Sequence, residues 1–258
     1  MIEAKNIGFK YKAASDFSIN DISLDIGEGQ ICCLLGKNGC GKTTLLKLLY
    51  GMLTPSSGSI YYKGRKICAA TLSQYHEEVG FVGHCWCNAS LTLEHNVGFL
   101  SLLYPSFDRK YYESLLKKAG IEANSDKVFS AFSAGEKIKA EIAFVLARHP
   151  KLLLMDEPLA NLDTVFKTDI LEILQDEVAE NGLGILLSTH LLDEINDICD
   201  RIAVMDKGSL TAFGDRFEIL GENEDKDLRD LVRNTDGSGP RIAPAEAKDP
   251  VRKAEVQI

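Results

Sequence analysis

The residues Gly36-Lys-Asn-Gly39-Cys-Gly41-Lys42-Thr43 constrain this chain more than any others, because they fit the pattern G-x-x-x-x-G-K-[ST]. The composition has a chemical reason. Glycines let backbone N–H groups curl round phosphate oxygens with no Cβ in the way. A helix that starts directly after the loop points its positive end at the same phosphates. Lys42 adds a cation between the β and γ phosphates, and the Thr43 hydroxyl can bind Mg²⁺. The flanks agree with this reading. Ile31-Cys-Cys-Leu-Leu35 before the loop is uniformly apolar, as expected of a strand covered on both faces of a parallel sheet. Residues 44–50 after it read as a helix. A strand, a phosphate loop and a helix in this order predict an α/β fold that holds a nucleoside triphosphate.

Other segments extend that fold. Ile7-Gly-Phe9-Lys-Tyr11 and Ile22-Ser-Leu24-Asp-Ile26 alternate at period two, so the N-terminal third is expected to be β-rich. A hairpin is expected around 59–62 and 66–69, with Lys63-Gly64-Arg65 as its turn. From about 91 to 147 the pattern is helical; Ile138, Ile142, Val145 and Leu146 fall on one helical face. Strand and helix then alternate at 152–155, 165–180 and 185–187, which implies parallel strands with crossover helices. Residues 221–258 are charged and poor in large apolar side chains. They read as a flexible extension, with a short helix expected at 225–233.

Composition then narrows the function. With 258 residues, 45% hydrophobic and 26% charged, the chain has the make-up of a globular protein. A net charge of −9 speaks against a nucleic-acid partner. No stretch approaches the roughly 18 to 20 apolar residues of a membrane span, and the start lacks a secretory pattern, so the expected location is the cytoplasm. His84-Cys85-Trp86-Cys87, with His76 upstream, completes no zinc-like ligand spacing, and the cysteines are expected to be reduced thiols.

A second acidic motif lies downstream. Leu152-Leu-Leu-Met-Asp156-Glu157 is an apolar strand ending in two carboxylates. Its C-terminal end places Asp156 beside the phosphate loop, where it can hold Mg²⁺, and Glu157 can polarise an attacking water.

With these residues in view, positions 1 to about 214 resemble the ABC (ATP-binding cassette) ATPase family. Phe132-Ser-Ala-Gly-Glu136 sits where that family carries its signature, ahead of the acidic strand and at the start of a helix. Ala160-Asn-Leu-Asp163 resembles the D-loop, Ser188-Thr-His190 the switch histidine, and Tyr11 the adenine-stacking aromatic. The resemblance implies a parallel core sheet, an antiparallel β subdomain and a helical subdomain at about 85–147 holding the signature, all within a cassette of residues 1–220. It also implies ATP and Mg²⁺ as ligands, with Tyr11, Gly36, Lys37, Asn38, Gly39, Cys40, Gly41, Lys42, Thr43 and Thr44 around the nucleotide. Two cassettes would pair head to tail, identical or not, so that Ser133, Ala134, Gly135 and Glu136 of one face the γ-phosphate held by the other. Glu157 and His190 would serve hydrolysis, Asp163 would link the two sites, and Thr43, His84 and Asp156 would stand around the metal. The chain departs from the family pattern with Ala134 for glycine and Glu136 for glutamine in the signature, and with His84 where the Q-loop glutamine falls.

The resemblance further implies an ATP-hydrolysing subunit that drives a separate membrane-spanning subunit from the inner face of the membrane. Residues 89–94 are the expected docking surface. Tyr104-Pro-Ser-Phe-Asp108, Tyr111-Tyr112 and Leu115-Leu116 look like bacterial exporter cassettes of the drug, peptide and lantibiotic type, so export is the expected direction. The alternative is a non-transport ABC ATPase driving a soluble assembly. A P-loop kinase would explain the phosphate loop but none of the later motifs.

Overall fold

The uniform apolarity of residues 31–35 has a direct structural cause. In the computed structural model, which describes residues 1–11, 18–83, 87–122, 126–160, 162–190 and 198–220, this strand is buried on both faces. Ile31, Cys33 and Leu35 point into a core shared with the helices, while Cys32 and Leu34 point into a second core on the opposite face. Each of the isoleucine and leucine side chains, taken fully out of water, contributes about 1.5–3 kcal/mol.

The strands form two sheets. The smaller is antiparallel and contains β1 (Ile2–Lys10), β2 (Ser18–Ile26), β4 (Ser57–Tyr62) and β5 (Arg65–Lys66), in the order β2-β1-β4-β5. The larger adds β3 (Ile31–Leu35), β6 (Val79–Val82), β7 (Leu152–Asp156), β8 (Gly184–Ser188), β9 (Arg201–Asp206) and β10 (Ser209–Asp215). Its order is β10-β9-β3-β8-β7-β6, parallel throughout except for β10 at one edge.

Seven α-helices lie among the described residues: α1 (Lys42–Tyr50), α2 (Leu72–Glu78), α3 (Leu93–Ser101), α4 (Arg109–Lys118), α5 (Ala134–Leu146), α6 (Thr164–Asn181) and α7 (Arg216–Leu220). A 3-10 turn spans Phe129–Ala131. Helix α1 is clamped between the sheets, with Leu45, Leu46, Leu48 and Leu49 inaccessible to water. Helices α3, α4 and α5 come between β6 and β7 and pack on the other face of the larger sheet. There the texture of residues 104–116 finds its use. Phe107 lies 5.3 Å from Phe144 and 5.6 Å from Tyr112, and Leu115 and Leu116 are buried beside them.

Several expectations need correction. β1 starts at Ile2 rather than Ile7, and Tyr11 lies beyond its end. Ile2 and Ala4 face the core, but a bulge follows: the register shifts between Ala4 and Ile7, and Asn6 has φ +49°. That extra residue breaks the period-two pattern and hides half the strand. The hairpin turn is Lys63-Gly64 alone, both with positive φ, so Arg65 already belongs to a strand that ends at Lys66 rather than Ala69. The β9–β10 hairpin and α2 were not among the expected elements. Residues 221–258, including the helix expected at 225–233, lie outside the described residues, as does His84.

Candidate active site

The loop between β3 and α1 is shaped by its glycines. Gly36, Gly39 and Gly41 have φ of +153°, +81° and +116°, conformations that L side chains resist. A Cβ on Gly36 would meet the Met205 carbonyl of β9 at 2.5 Å and Cys40 Sγ at 2.6 Å. The Gly208 N–H, from the β9–β10 turn, donates to the Cys40 carbonyl (2.9 Å) and pins the loop to the sheet edge. Cys40 is buried, and Lys37 is exposed. Gly41 caps α1 without any side-chain bond, which leaves the first amides of that helix for an external acceptor.

A cavity of about 310 Å³ opens over this cap, lined by Asn38, Gly39, Gly41, Lys42, Thr43, Thr44 and Glu157. Lys42 is only 6% exposed; its Nζ donates to the Gly36 carbonyl (2.8 Å) and pairs with Glu157 Oε1 at 3.4 Å. Tyr11 stands at the rim, its hydroxyl 3.3 Å from Thr44 Oγ1 and its ring edge-on to Phe9.

The acidic end of β7 closes the far side. Glu157 has φ +49°, a strained conformation for a side chain of this kind. Two bonds hold it there, from its N–H to the Ser188 carbonyl (3.1 Å) and to Ser188 Oγ (3.0 Å). The same Ser188 hydroxyl donates to Asp156 Oδ1 (2.9 Å), so β8 sets both acids at once. His190 Nδ1 lies 2.7 Å from Glu157 Oε2, and donation from Nδ1 leaves Nε2 as an acceptor in the neutral ring. Lys42, Glu157 and His190 thus form one chain of contacts that runs from the cavity floor outward to an exposed histidine. Gly83, with φ +118°, allows the end of β6 to pass Asp156, whose Cβ and carbonyl would lie 2.9 Å from any added Cβ.

The metal expected here is Mg²⁺. An exposed Thr43 hydroxyl and a carboxylate whose second oxygen is left over by Ser188 make a hard-oxygen donor set, which suits that ion.

None of Ser133, Ala134, Gly135 and Glu136 lines the cavity. They form the start of α5, where Ser133 Oγ accepts the Glu136 N–H (3.1 Å) and Glu136 Oε2 accepts the Ser133 N–H (2.7 Å). This capping box leaves the amides of Ala134 and Gly135 with no acceptor among the described residues. Asp163 caps α6 through the Phe166 N–H (2.9 Å) and pairs with Lys139 of α5 at 2.7 Å. The Lys139 ammonium holds its carboxyl below the usual carboxylate range.

Lys127 and Lys139 are site neighbours that sequence reasoning missed, as it did the bonds of Ser188 to the two acids. Ser188 was legible as part of Ser-Thr-His, but its two bonds depend on β7 and β8 being adjacent. The lysines carry no motif at all.

Comparisons with known proteins fit this geometry. Residues 19–160 match a family model described as "ABC transporter". An energy-coupling factor transporter ATP-binding protein of Mycoplasma mobile is 32% identical over 225 residues, covering 85% of this chain and 82% of the relative. A methionine import ATP-binding protein of Mannheimia succiniciproducens is 32% identical over 244 residues, covering 91% and 71%. Among solved structures, the ATP-binding subunit of an ABC transporter superposes with a TM-score of 0.76 at 28% identity, covering 85% of this chain and 91% of that one. A dimeric ATP-binding cassette in a post-hydrolysis state, bound to ADP and Pi, superposes with a TM-score of 0.74 at 25% identity, covering 83% and 98%. The relatives' names suggest import rather than the export expected from residues 104–116, without deciding the direction.

Proposed function

Because this chain belongs to the ABC transporter family and is an ATPase, we propose that it drives a separate membrane-spanning subunit by closing on ATP with a second cassette and reopening after hydrolysis. The observation that carries this reading is the contact chain from Lys42 and Glu157 in the phosphate-loop cavity to His190 beside it.

In that cavity ATP lies with its phosphates on the α1 amides and its adenine against Tyr11. Lys42 turns from Glu157 to the β and γ phosphates, a stronger anionic partner. Glu157, released, orients the attacking water in line with the γ-phosphate, and His190 steadies that water and the γ-phosphate through its second nitrogen. Thr43 and Asp156 would hold Mg²⁺, which neutralises phosphate charge when bound. Ser133, Ala134 and Gly135 of the second cassette close the site with one hydroxyl and two amides, and Asp163 links the two sites through its bond to α5. By the family resemblance His84, outside the described residues, would take the Q-loop role beside the metal.

The cassette works from the cytoplasmic face of the membrane, docking through residues 89–94 and the adjoining helices. No helix among the described residues is long and apolar enough to cross a membrane; the proposal assigns the spanning part to a separate subunit. Import is the direction favoured by the names of the relatives, and the membrane subunit sets the substrate. Purification with that subunit in lipid vesicles tests the proposal. Transported compounds should stimulate ATP turnover several-fold, and a turnover indifferent to the membrane subunit and to every compound would remove transport in favour of a soluble assembly.

A further inference from the structure

The start of α5 carries a charge problem that the phosphate loop does not have. A helix N-terminus presents roughly half a positive charge, and an anion is drawn to it for that reason. At α5 the capping box sets a full carboxylate into the same turn. Hydrogen bonding from the Ser133 N–H, reinforced by Lys127, holds the Glu136 carboxyl at about 2, so it stays ionised at any physiological pH. Left alone, that charge would turn an attractive cap into one that repels a γ-phosphate arriving at the Ala134 and Gly135 amides.

Lys127 corrects this. It lies in the strand-like approach to the 3-10 turn, outside the signature, and its Nζ is 3.0 and 3.1 Å from the two oxygens of Glu136. It also sits 4.6 Å above the Phe132 ring, which fixes it over the cap. The pair is only half-buried in the single chain, at 37% exposure on each side, where such a bridge adds little to stability.

We infer that Lys127 is a positioning residue of the composite site: it neutralises and holds Glu136 so that the α5 N-terminus of one cassette can receive the γ-phosphate bound by the other. The inference rests on the reading that Ser133–Glu136 work across a dimer. Closure takes the pair out of water, and there an uncompensated carboxylate facing a phosphate is far costlier than at an open surface.

The test is a double-mutant cycle on the purified full chain, reading ATP turnover, ATP-dependent dimerisation and fluorescent ATP-analogue binding. K127A should lower turnover and dimerisation about tenfold while analogue binding to the single chain stays within twofold, and K127R should retain most activity. In the E136Q background, K127A should change turnover less than twofold, because the charge needing compensation is gone. A K127A defect that persists undiminished in E136Q would mean that Lys127 acts only by packing on Phe132, and would overturn the inference. Comparison with S133R separates the layers. If S133R is inactive while K127A turns over at the wild-type rate, the Lys127 assignment alone fails; if both turn over at that rate, the composite reading fails and this inference with it.

Discussion

At α1 the capping residue is Gly41, in a left-handed conformation and without a side chain, whereas at α5 it is Ser133, locked into a reciprocal capping box with Glu136. The first cap is surrounded by its own chain: a buried lysine, the acids Asp156 and Glu157 at and after the end of β7, and a hairpin turn pinned to the loop. The second faces outward and finds no catalytic side chain beside it. Both leave amides without a side-chain acceptor, yet only the first lies beside a buried cation, Lys42, and the carboxylates Asp156 and Glu157, which the proposed mechanism uses. The difference teaches that two caps with free amides can differ in surroundings: the α1 cap opens into a cavity floored by Lys42 and Glu157, and the α5 cap does not; on the proposed reading the second serves a partner cassette. It also explains why a capping box is tolerated at α5 and would be out of place at α1. A side chain bonded to the α1 amides would compete with phosphate, while at α5 the box consumes two N–H groups and leaves two for the arriving anion.

The largest expected effect breaks the chemistry at α1 without touching the cap. E157Q should keep ATP bound but lower turnover on the order of 10²- to 10⁴-fold, because only the water-orienting charge is removed. Since Glu157 also pairs with Lys42 in the ligand-free chain, E157Q should not weaken ATP binding; steady-state turnover and analogue titration together decide this. Wild-type turnover in E157Q would refute the assigned role.

Mixing chains sharpens the comparison next. K42A removes the buried cation at α1 and should weaken ATP binding about 10- to 100-fold, the value of a charge-assisted bond. S133R blocks the cap at α5 and should leave the same chain's ATP binding unchanged. A K42A–S133R heterodimer contains one doubly damaged site and one intact site, so part of the turnover lost in each parent should return. No recovery, with heterodimers demonstrated by tagging, would mean that the sites do not act singly or are not composite.

The smallest effect concerns acid. The folded-state pKa of Glu136 is about 2, below the 4.5 of an unperturbed glutamate, so its contribution is fully present above about 4.5 and is lost as pH falls from there through 2. The helical signal of E136Q should therefore fall less steeply across that window than that of the wild type. Parallel curves would mean that the cap draws nothing from the charge.

Much of this molecule was legible from local pattern. Strands buried on both faces, such as β3, β7 and β8, advertise themselves by unbroken apolar runs, and the phosphate loop by glycines that no other backbone path requires. The bulge in β1 was not legible, because a single extra residue reverses which side chains face the core, and the two-residue β5 was not, because Arg65 and Lys66 are both exposed and carry no apolar pattern. Residues 104–116 could not decide the direction of transport for a related reason. Their aromatic texture reports how Phe107, just ahead of α4, packs between Tyr112 of α4 and Phe144 of α5, and packing carries no information about the direction of transport.

By itself the sequence determined the nucleotide chemistry: which glycines, lysine, acids and histidine are present, and in what order along an α/β chain. That follows because phosphate binding needs consecutive amides, and consecutive amides are a local property. Only the tertiary structure decided the partnerships between distant residues. Ser188 reaches both acids because β8 lies beside β7, and Gly208 braces the phosphate loop because β9 lies beside β3. Lys127 meets Glu136 because the 3-10 turn folds the chain back over the α5 cap, bringing together two charges that no motif links.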